Sequence, residues 1–384
     1  MDARTPSERN QAIDLLRGLV MVLMALDHVR DYFGDPLLDP TDPAKASVAL
    51  FFTRWVTHLC APTFVFLAGA SAYLSAARKG KRETTAFLVK RGLWLIVLEL
   101  TVIRLAWVFD FTWSMTWLQV IWALGVSMIF LAALAWLPMK AIAAIGVVLV
   151  AGHNLFDTTH VSGGGLADFG WAFLHEQASF RPLEGVEIGV FYPVLPWIGV
   201  MALGWVFGSQ VERPLVERKR VALTVGVILL AAFVVLRTTG AYGDPHSWAG
   251  AEPPMSTVMA FLRLEKYPPS LQFLLATLGI MMLLYAALHV RPVPAWHPLL
   301  VFGRVPLFYY IVHLYVIHVL ALLALGWKNG AISWSHDVFA AGGAGWSLPS
   351  VHATWLVVVV VLYAPSRWFA AVKARYGKWW LSYL

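Results

Sequence analysis

A carboxylate, a guanidinium and an imidazole recur along Asp14 to Phe33, DLLRGLVMVLMALDHVRDYF, within an otherwise apolar run. A helix advances ~1.5 Å and ~100° per residue, so Asp14, Arg17, His28 and Asp31 share one face within an arc of roughly 100°, with Met21 and Met24 between them. Asp14 and Arg17, three residues apart, can pair. His28 lies on the order of 20 Å further along by the same rise, flanked by Asp27 and Asp31. A carboxylate beside an imidazole fixes its tautomer and keeps it able to take a proton, which is general-base chemistry. The alternative for these residues is an interface anchor at one end and a solvated helix end or packing network at the other.

Further groups capable of chemistry lie along the chain. His58 stands in THLCAPTF, where Pro62 removes the backbone donor that the residue 58 carbonyl would have met, so a helix there should kink beside the imidazole. Cys60, two residues on, is a thioester candidate with nothing nearby to activate it. Glu99 and Arg104 sit ~140° apart on one helix and each needs a partner elsewhere. Tyr309, Tyr310, His313 and His318 either line a path or tie helices together. Lys266 stands out at the start of KYPPSLQF, either to bind an anionic or carbohydrate acceptor or to snorkel to the interface. Trp107, Trp113, Trp117, Trp171 and Trp248 are sugar-stacking candidates or members of an interfacial belt.

The elements that must position these groups follow from composition. Of 384 residues 59% are hydrophobic and only 13% charged, and the mean hydropathy is +0.67, far from a soluble domain. The expected fold is an all-α polytopic membrane bundle with spans near 12–33, 48–77, 87–108, 115–137, 140–153, 188–209, 219–238, 270–289, 298–326 and 351–370. Basic stretches follow the second span (RKGKRETTAFLVKR), the sixth (ERPLVERKR) and the tenth (Arg367, Lys373, Arg375, Lys378), whereas 153–187 is acidic. The positive-inside rule then places both termini in the cytoplasm and gives the net charge of +7 a topological meaning, with no nucleic-acid partner required. The polar start MDARTPSERNQA and the interrupted first apolar run argue for a retained first helix. One cysteine excludes an internal disulfide framework and any CxxC site, and no metal is expected. Without repeats or low-complexity tracts, residues 1–384 read as a single integral domain, with 153–187, 239–269 and 327–350 long enough to form a lid or cleft on the outer side.

The pattern of Asp14, Arg17, Gly18 and His28 resembles the first helix of acyltransferase-3 type membrane enzymes. A wider set of stretches, IDLLRGLVMVLMALDHVRDYF, TRWVTHLCAPTFVFLAGASAYL, VKRGLWLIVLELTVIRLAW, FYPVLPWIGVMALGWVFG, KYPPSLQFLLATLG and GRVPLFYYIVHLYVIH, resembles the bacterial relatives of heparan-alpha-glucosaminide N-acetyltransferase. The resemblance implies a ten-helix transmembrane acyltransferase in a bacterial inner membrane. It further implies transfer of an acetyl group from cytosolic acetyl-CoA to an amine or hydroxyl of an extracytoplasmic sugar or glycan. It leaves both His28 and His58 open as the base, and the acyltransferase-3 spacing favours His28, oriented by Asp31 or Asp27. A CoA donor needs cations at the inner helix ends, where Arg17, Lys90, Arg91 and Arg304 stand. Lys266, His318 and Glu99 complete the expected substrate-facing set. The competing class is a transporter or lipid-handling protein using the same ionisable residues, although no repeated halves with paired half-helices are visible. Homo-oligomerisation is left open.

Overall fold

A computed structural model describes residues 11–35, 37–160, 165–248, 254–289, 293–330, 345–376 and 381. The chain is a helical membrane protein with one small sheet. Its elements are α1 (Gln11–Phe33), α2 (Val48–Thr57), α3 (Cys60–Ala76), α4 (Lys81–Leu98), α5 (Arg104–Val108), β1 (Met115–Leu118), α6 (Val120–Leu134), α7 (Met139–Gly152), α8 (Leu166–Leu174), β2 (Ala178–Leu183), β3 (Val186–Val190), α9 (Leu195–Val211), α10 (Leu215–Thr239), α11 (Pro254–Leu262), α12 (Leu271–Ala287), α13 (Pro298–Arg304), α14 (Pro306–Asn329) and α15 (Leu348–Tyr376). Each of the ten expected spans contains a helix. Among the described residues, the helical stretches long and apolar enough to cross a membrane are Val48–Ala76, Met139–Phe156, Leu215–Thr239, Pro306–Asn329 and Leu348–Tyr376.

Local chemistry sets the breaks. As Pro62 requires, the second span is interrupted: α2 ends at Thr57, His58 caps it, and α3 resumes at Cys60. The third span runs from α4 to α5 through a π-helical turn, Glu99–Ile103. The ninth, expected as one helix, is two, because Pro306 has no N–H to continue α13 and its ring restarts the chain as the first residue of α14. The fourth and sixth expected spans each begin with strand. β1 pairs in parallel with β3, and β2 returns antiparallel through a turn at Gly185, whose φ of +76° suits glycine. Gly189 in β3 leaves room for the Trp117 ring, which a Cβ would overlap.

Two ends of the bundle differ in character. At one end, here the crown, lie the sheet, the C-terminus of α1 and the N-termini of α2, α12 and α15; Gly345 and Trp346 bond back to Gly34 and Phe33. At the other, the α3–α4, α9–α10 and α15 termini bring together the first two basic stretches and Arg367, Lys373 and Arg375 of the third; Lys378 lies outside the described residues. The contacts of Gly69 and Gly204 set α3 parallel to α9, and the Trp355–Val22 and Tyr363–Trp296 bonds set α15 antiparallel to α1. The helix carrying His28 is fixed by very close packing: a Cβ on Gly18 would strike the Leu299 carbonyl of α13, and one on Gly303 the Asp14 carbonyl of α1. Backbones meeting through small residues are the usual means of membrane helix association. Gly18→Ala should therefore force α1 from α13 and destabilise by about 1–3 kcal/mol, as overpacking does. Gly170→Ala, where nothing lies within 4 Å, should be close to silent. Unfolding midpoints of the two purified variants test the contrast.

Candidate functional site

Two cavities enter the bundle from opposite ends. The crown cavity, about 850 Å³, is lined among others by Asp27, His28, Arg54, His58, Trp107, Trp117, Tyr192 and Lys266. The basic-end cavity, about 280 Å³, is mostly apolar, with Arg17, Ser71, Phe87 and Arg91 in its lining. Met24, Val120 and Tyr310 belong to both linings, so the two cavities meet at these side chains. His28 stands beside them, its ring 6.1 Å from the Tyr310 ring and 4.9 Å edge-on from that of Trp107.

The protons around His28 can be assigned from donors and acceptors. His313 Nδ1 lies 3.1 Å from the Tyr309 carbonyl oxygen, an acceptor only, so Nδ1 carries the hydrogen and neutral His313 presents Nε2 as a lone pair. That Nε2 lies 2.7 Å from His28 Nδ1, which must then donate. His28 Nε2 is left as the basic nitrogen. The chain of bonds from Tyr309 through His313 to His28 thus holds the tautomer that a general base needs.

This corrects the expected orienting group. Neither flanking carboxylate hydrogen-bonds to His28. Asp27 accepts from Arg54 Nη1 on both oxygens at 3.0 Å, from Thr57 Oγ1 at 2.9 Å and from Arg30 at 2.9 Å, while Asp31 accepts from Arg30 at 2.6 Å. The carboxylates neutralise guanidinium groups that would otherwise be buried and unpaired, and the imidazole takes over the role expected of them. His58 also lines the crown cavity, buried against Phe273 with ring centroids 5.3 Å apart, and no tautomer-fixing bond holds it as His313 holds His28. Cys60 lines the same cavity and donates its thiol to the Val20 carbonyl.

The remaining expected residues divide cleanly. Lys266 is buried in the crown cavity with Nζ 4.9 Å from the Tyr267 ring centroid. Glu99 and His318 line neither cavity, and both have structural work instead. Glu99 accepts from the Trp122 amide at the start of α6, where the helix dipole favours a carboxylate. His318 donates to the Ala106 carbonyl and stacks on Phe109, which ends α5 at a φ of +46°. With Tyr32 donating to the Trp107 carbonyl, His318 fixes the end of α5 and so the Trp107 ring beside His28. Arg17 bonds Asp14, Ser71 and the Leu67 carbonyl, as its pairing predicts, and Arg91 lines the basic-end cavity with it. Lys90 is exposed and Arg304 half-buried, and neither reaches the lining. Of the five tryptophans considered for sugar stacking, only Trp107 and Trp117 line the crown cavity.

Residues 9–243 match the family described as heparan-alpha-glucosaminide N-acetyltransferase, catalytic. The chain belongs to that family. No curated protein matches the chain. The acetyltransferase match spans α1 to α10 and so contains His28, Asp27, Arg54, His58, Trp107 and both basic-end arginines. The partners that complete the site come from beyond it: Lys266 and Tyr267 before α12, and Tyr310 and His313 on α14.

Sequence reading passed over Arg54, whose signal was a lone guanidinium within an apolar span, and did not link His313 to His28 across 285 residues. It also passed over the mouth of the crown cavity. There Glu265 accepts from the Lys266 and Tyr267 amides at 3.0 and 2.9 Å, and His246 Nε2 lies 3.1 Å from its second oxygen. Burial pushes the Glu265 carboxyl up, but His246 and these amides outweigh it and hold it below the usual glutamate value. A carboxyl depressed on folding lends stability above its unfolded pKa of ~4.3 and loses it as pH falls through the lower folded value. Hydrogen exchange at the Lys266 and Tyr267 amides, once corrected for intrinsic rates, should therefore accelerate as pH falls below about 4.

Proposed function

We propose that this protein transfers an acetyl group from acetyl-CoA, entering from the cytoplasm at the basic end, to an amine or hydroxyl of a sugar docked in the crown cavity on the extracytoplasmic face. One observation carries the reading: two cavities from opposite ends share Met24, Val120 and Tyr310 beside an imidazole whose Nε2 is held unprotonated. The gathering of basic stretches at one end supports the orientation, with ten crossings of a bacterial inner membrane and both termini in the cytoplasm. At that end Arg17 and Arg91 suit the phosphates of CoA, and the apolar lining suits its pantetheine arm. The crown cavity offers aromatic faces, Trp107, Trp117 and Tyr192, beside the carboxylates Asp31 and Glu265, a combination that recognises a sugar's apolar face and its hydroxyls.

In the reaction the acceptor nitrogen or oxygen attacks the thioester carbonyl carbon while His28 Nε2 takes its proton. The C–S bond then breaks, and the departing thiolate takes that proton from His28. Tyr310, its ring 6.1 Å from that of His28 and part of both linings, is placed to donate its hydroxyl hydrogen to the carbonyl oxygen as charge builds there. His313 touches no substrate in this scheme and acts through the tautomer of His28. His313→Leu should lower kcat roughly 10-fold or more with KM for the sugar nearly unchanged, since a base held in the wrong tautomer fails at the proton step.

The test uses protein reconstituted in vesicles with labelled acetyl-CoA and glucosamine on opposite sides. N-acetylglucosamine should form only where the donor meets the basic end. Absence of product with both amino and hydroxyl sugars, together with no thermal stabilisation by acetyl-CoA, would overturn the reading in favour of a carrier.

A further inference from the structure

A second cluster of ionisable groups lies away from both cavities, at the crown end of α7. His153 begins the short 3-10 turn that follows α7, Asp157 is one turn further on, and His175 caps α8. Their ligand atoms all lie within 4.8 Å of one another. The two imidazoles are 1% and 2% exposed, with ring centroids 5.5 Å apart at 65°. Phe156 and Trp171 wall the His175 ring at 6.2 and 5.3 Å.

The ring nitrogens are what single this cluster out. Among the described residues, none of the four has a partner in hydrogen-bond geometry. His175 Nε2 lies 3.2 Å from Asp157 Oδ1 and His153 faces the Pro269 carbonyl, both out of line for a hydrogen bond. A neutral imidazole always has one N–H to place and one lone pair to satisfy, and buried polar groups are ordinarily paired. Two adjacent buried rings whose nearest polar neighbours, Asp157 Oδ1 and the Pro269 carbonyl, lie out of hydrogen-bond line therefore leave lone pairs for something that accepts them. The carboxylate, in contrast, is positioned from behind. Asn154 Nδ2 donates to Asp157 Oδ2 at 2.9 Å while Asn154 Oδ1 accepts from the Leu271 amide at the start of α12, leaving Asp157 Oδ1 toward the histidines.

We propose that His153, Asp157 and His175 form a binding site for Zn²⁺. Two imidazoles and one carboxylate are a ligand set that zinc takes tetrahedrally, with water in the fourth place. The half-exposed side of Asp157 leaves an entry path. Tetrahedral coordination at ~2.0–2.1 Å sets ligand atoms about 3.4 Å apart, so side-chain rotation of roughly 1 Å closes the cluster. Asn154 supplies the outer hydrogen bond that such carboxylates use to hold their orientation. The ion joins α7 to α8, and through Asn154 to α12, so it braces the wall from which β3 leads to Phe191 and Tyr192 in the crown cavity. The expectation of no metal rested on the cysteine count, and no sequence rule joins a His-x₃-Asp pair to a histidine eighteen residues on.

The test is metal content. Full-length protein purified without a polyhistidine tag is stripped with chelator, equilibrated with Zn²⁺ and desalted. Wild type should retain one equivalent by mass spectrometry and H175Q or D157N less than a fifth of that, while H160Q, in the neighbouring exposed His160–Glu176 pair, should retain the full amount. Co²⁺ in place of Zn²⁺ should give visible d–d bands of tetrahedral intensity in wild type and not in D157N, a near-isosteric change that spares the fold. Retention by wild type no greater than by D157N, or retention undiminished in both variants, overturns the site.

Discussion

His28→Gln is expected to reduce acetyl transfer by 10²–10⁴-fold while leaving acetyl-CoA binding intact. The range is what a positioned general base contributes. Glutamine is close to histidine in volume and can still donate to His313 Nε2, so the pair that ties α1 to α14 survives the substitution. What it lacks is the lone pair of Nε2. The measurement is single-turnover formation of N-acetyl product, with thermal stabilisation by acetyl-CoA as the control that the donor cavity is unchanged. Activity above a tenth of wild type removes His28 as the base. The companion variant His58→Gln locates the base if that happens, because the two imidazoles line the same cavity and only one is held by a second histidine.

Asp27→Ala is expected to have the largest effect on stability, about 3–5 kcal/mol. Its carboxylate accepts four bonds, two of them from Arg54, and both side chains are nearly enclosed. Removing the acid leaves Arg54 with only the Thr57 hydroxyl, whereas Arg30 keeps Asp31. The uncompensated guanidinium is the source of the loss, so Asp27→Leu combined with Arg54→Met should be less damaging than Asp27→Ala alone. Denaturant or thermal unfolding of the three variants in detergent reads the difference. A single variant within about 0.5 kcal/mol of wild type would mean that the pair remains hydrated, since exposed pairs contribute little.

The ten apolar segments are legible in the sequence because a bilayer demands runs of about twenty apolar residues, whatever their packing. Pro62 and Pro306 also announce breaks, since a missing N–H acts locally; the first was expected and the second passed over. β1 and β3 are hidden for the opposite reason. MTWL and VEIGV are apolar enough to join the helices that follow them, and only long-range pairing makes them strand. The same limit governs the site. Asp14 with Arg17 can be read from spacing of three, and His28 from its place on a polar face. The partner of His28 cannot, because two helices far apart in sequence must first meet. Glu99 and His318 show the converse: a buried ionisable group in a membrane segment invites a functional reading, yet one steadies a helix start and the other a strained backbone turn.

The junction formed by Met24, Val120 and Tyr310 has a meaning for the cell apart from catalysis. A water-filled route from one end of the bundle to the other would short-circuit the electrical gradient across the membrane, and a gap one residue wide is enough for protons. In the proposed transfer, these three side chains would serve as insulation that a two-carbon group crosses and ions do not. Trimming Met24 to glycine would open a leak visible as depolarisation of vesicles before any product is formed.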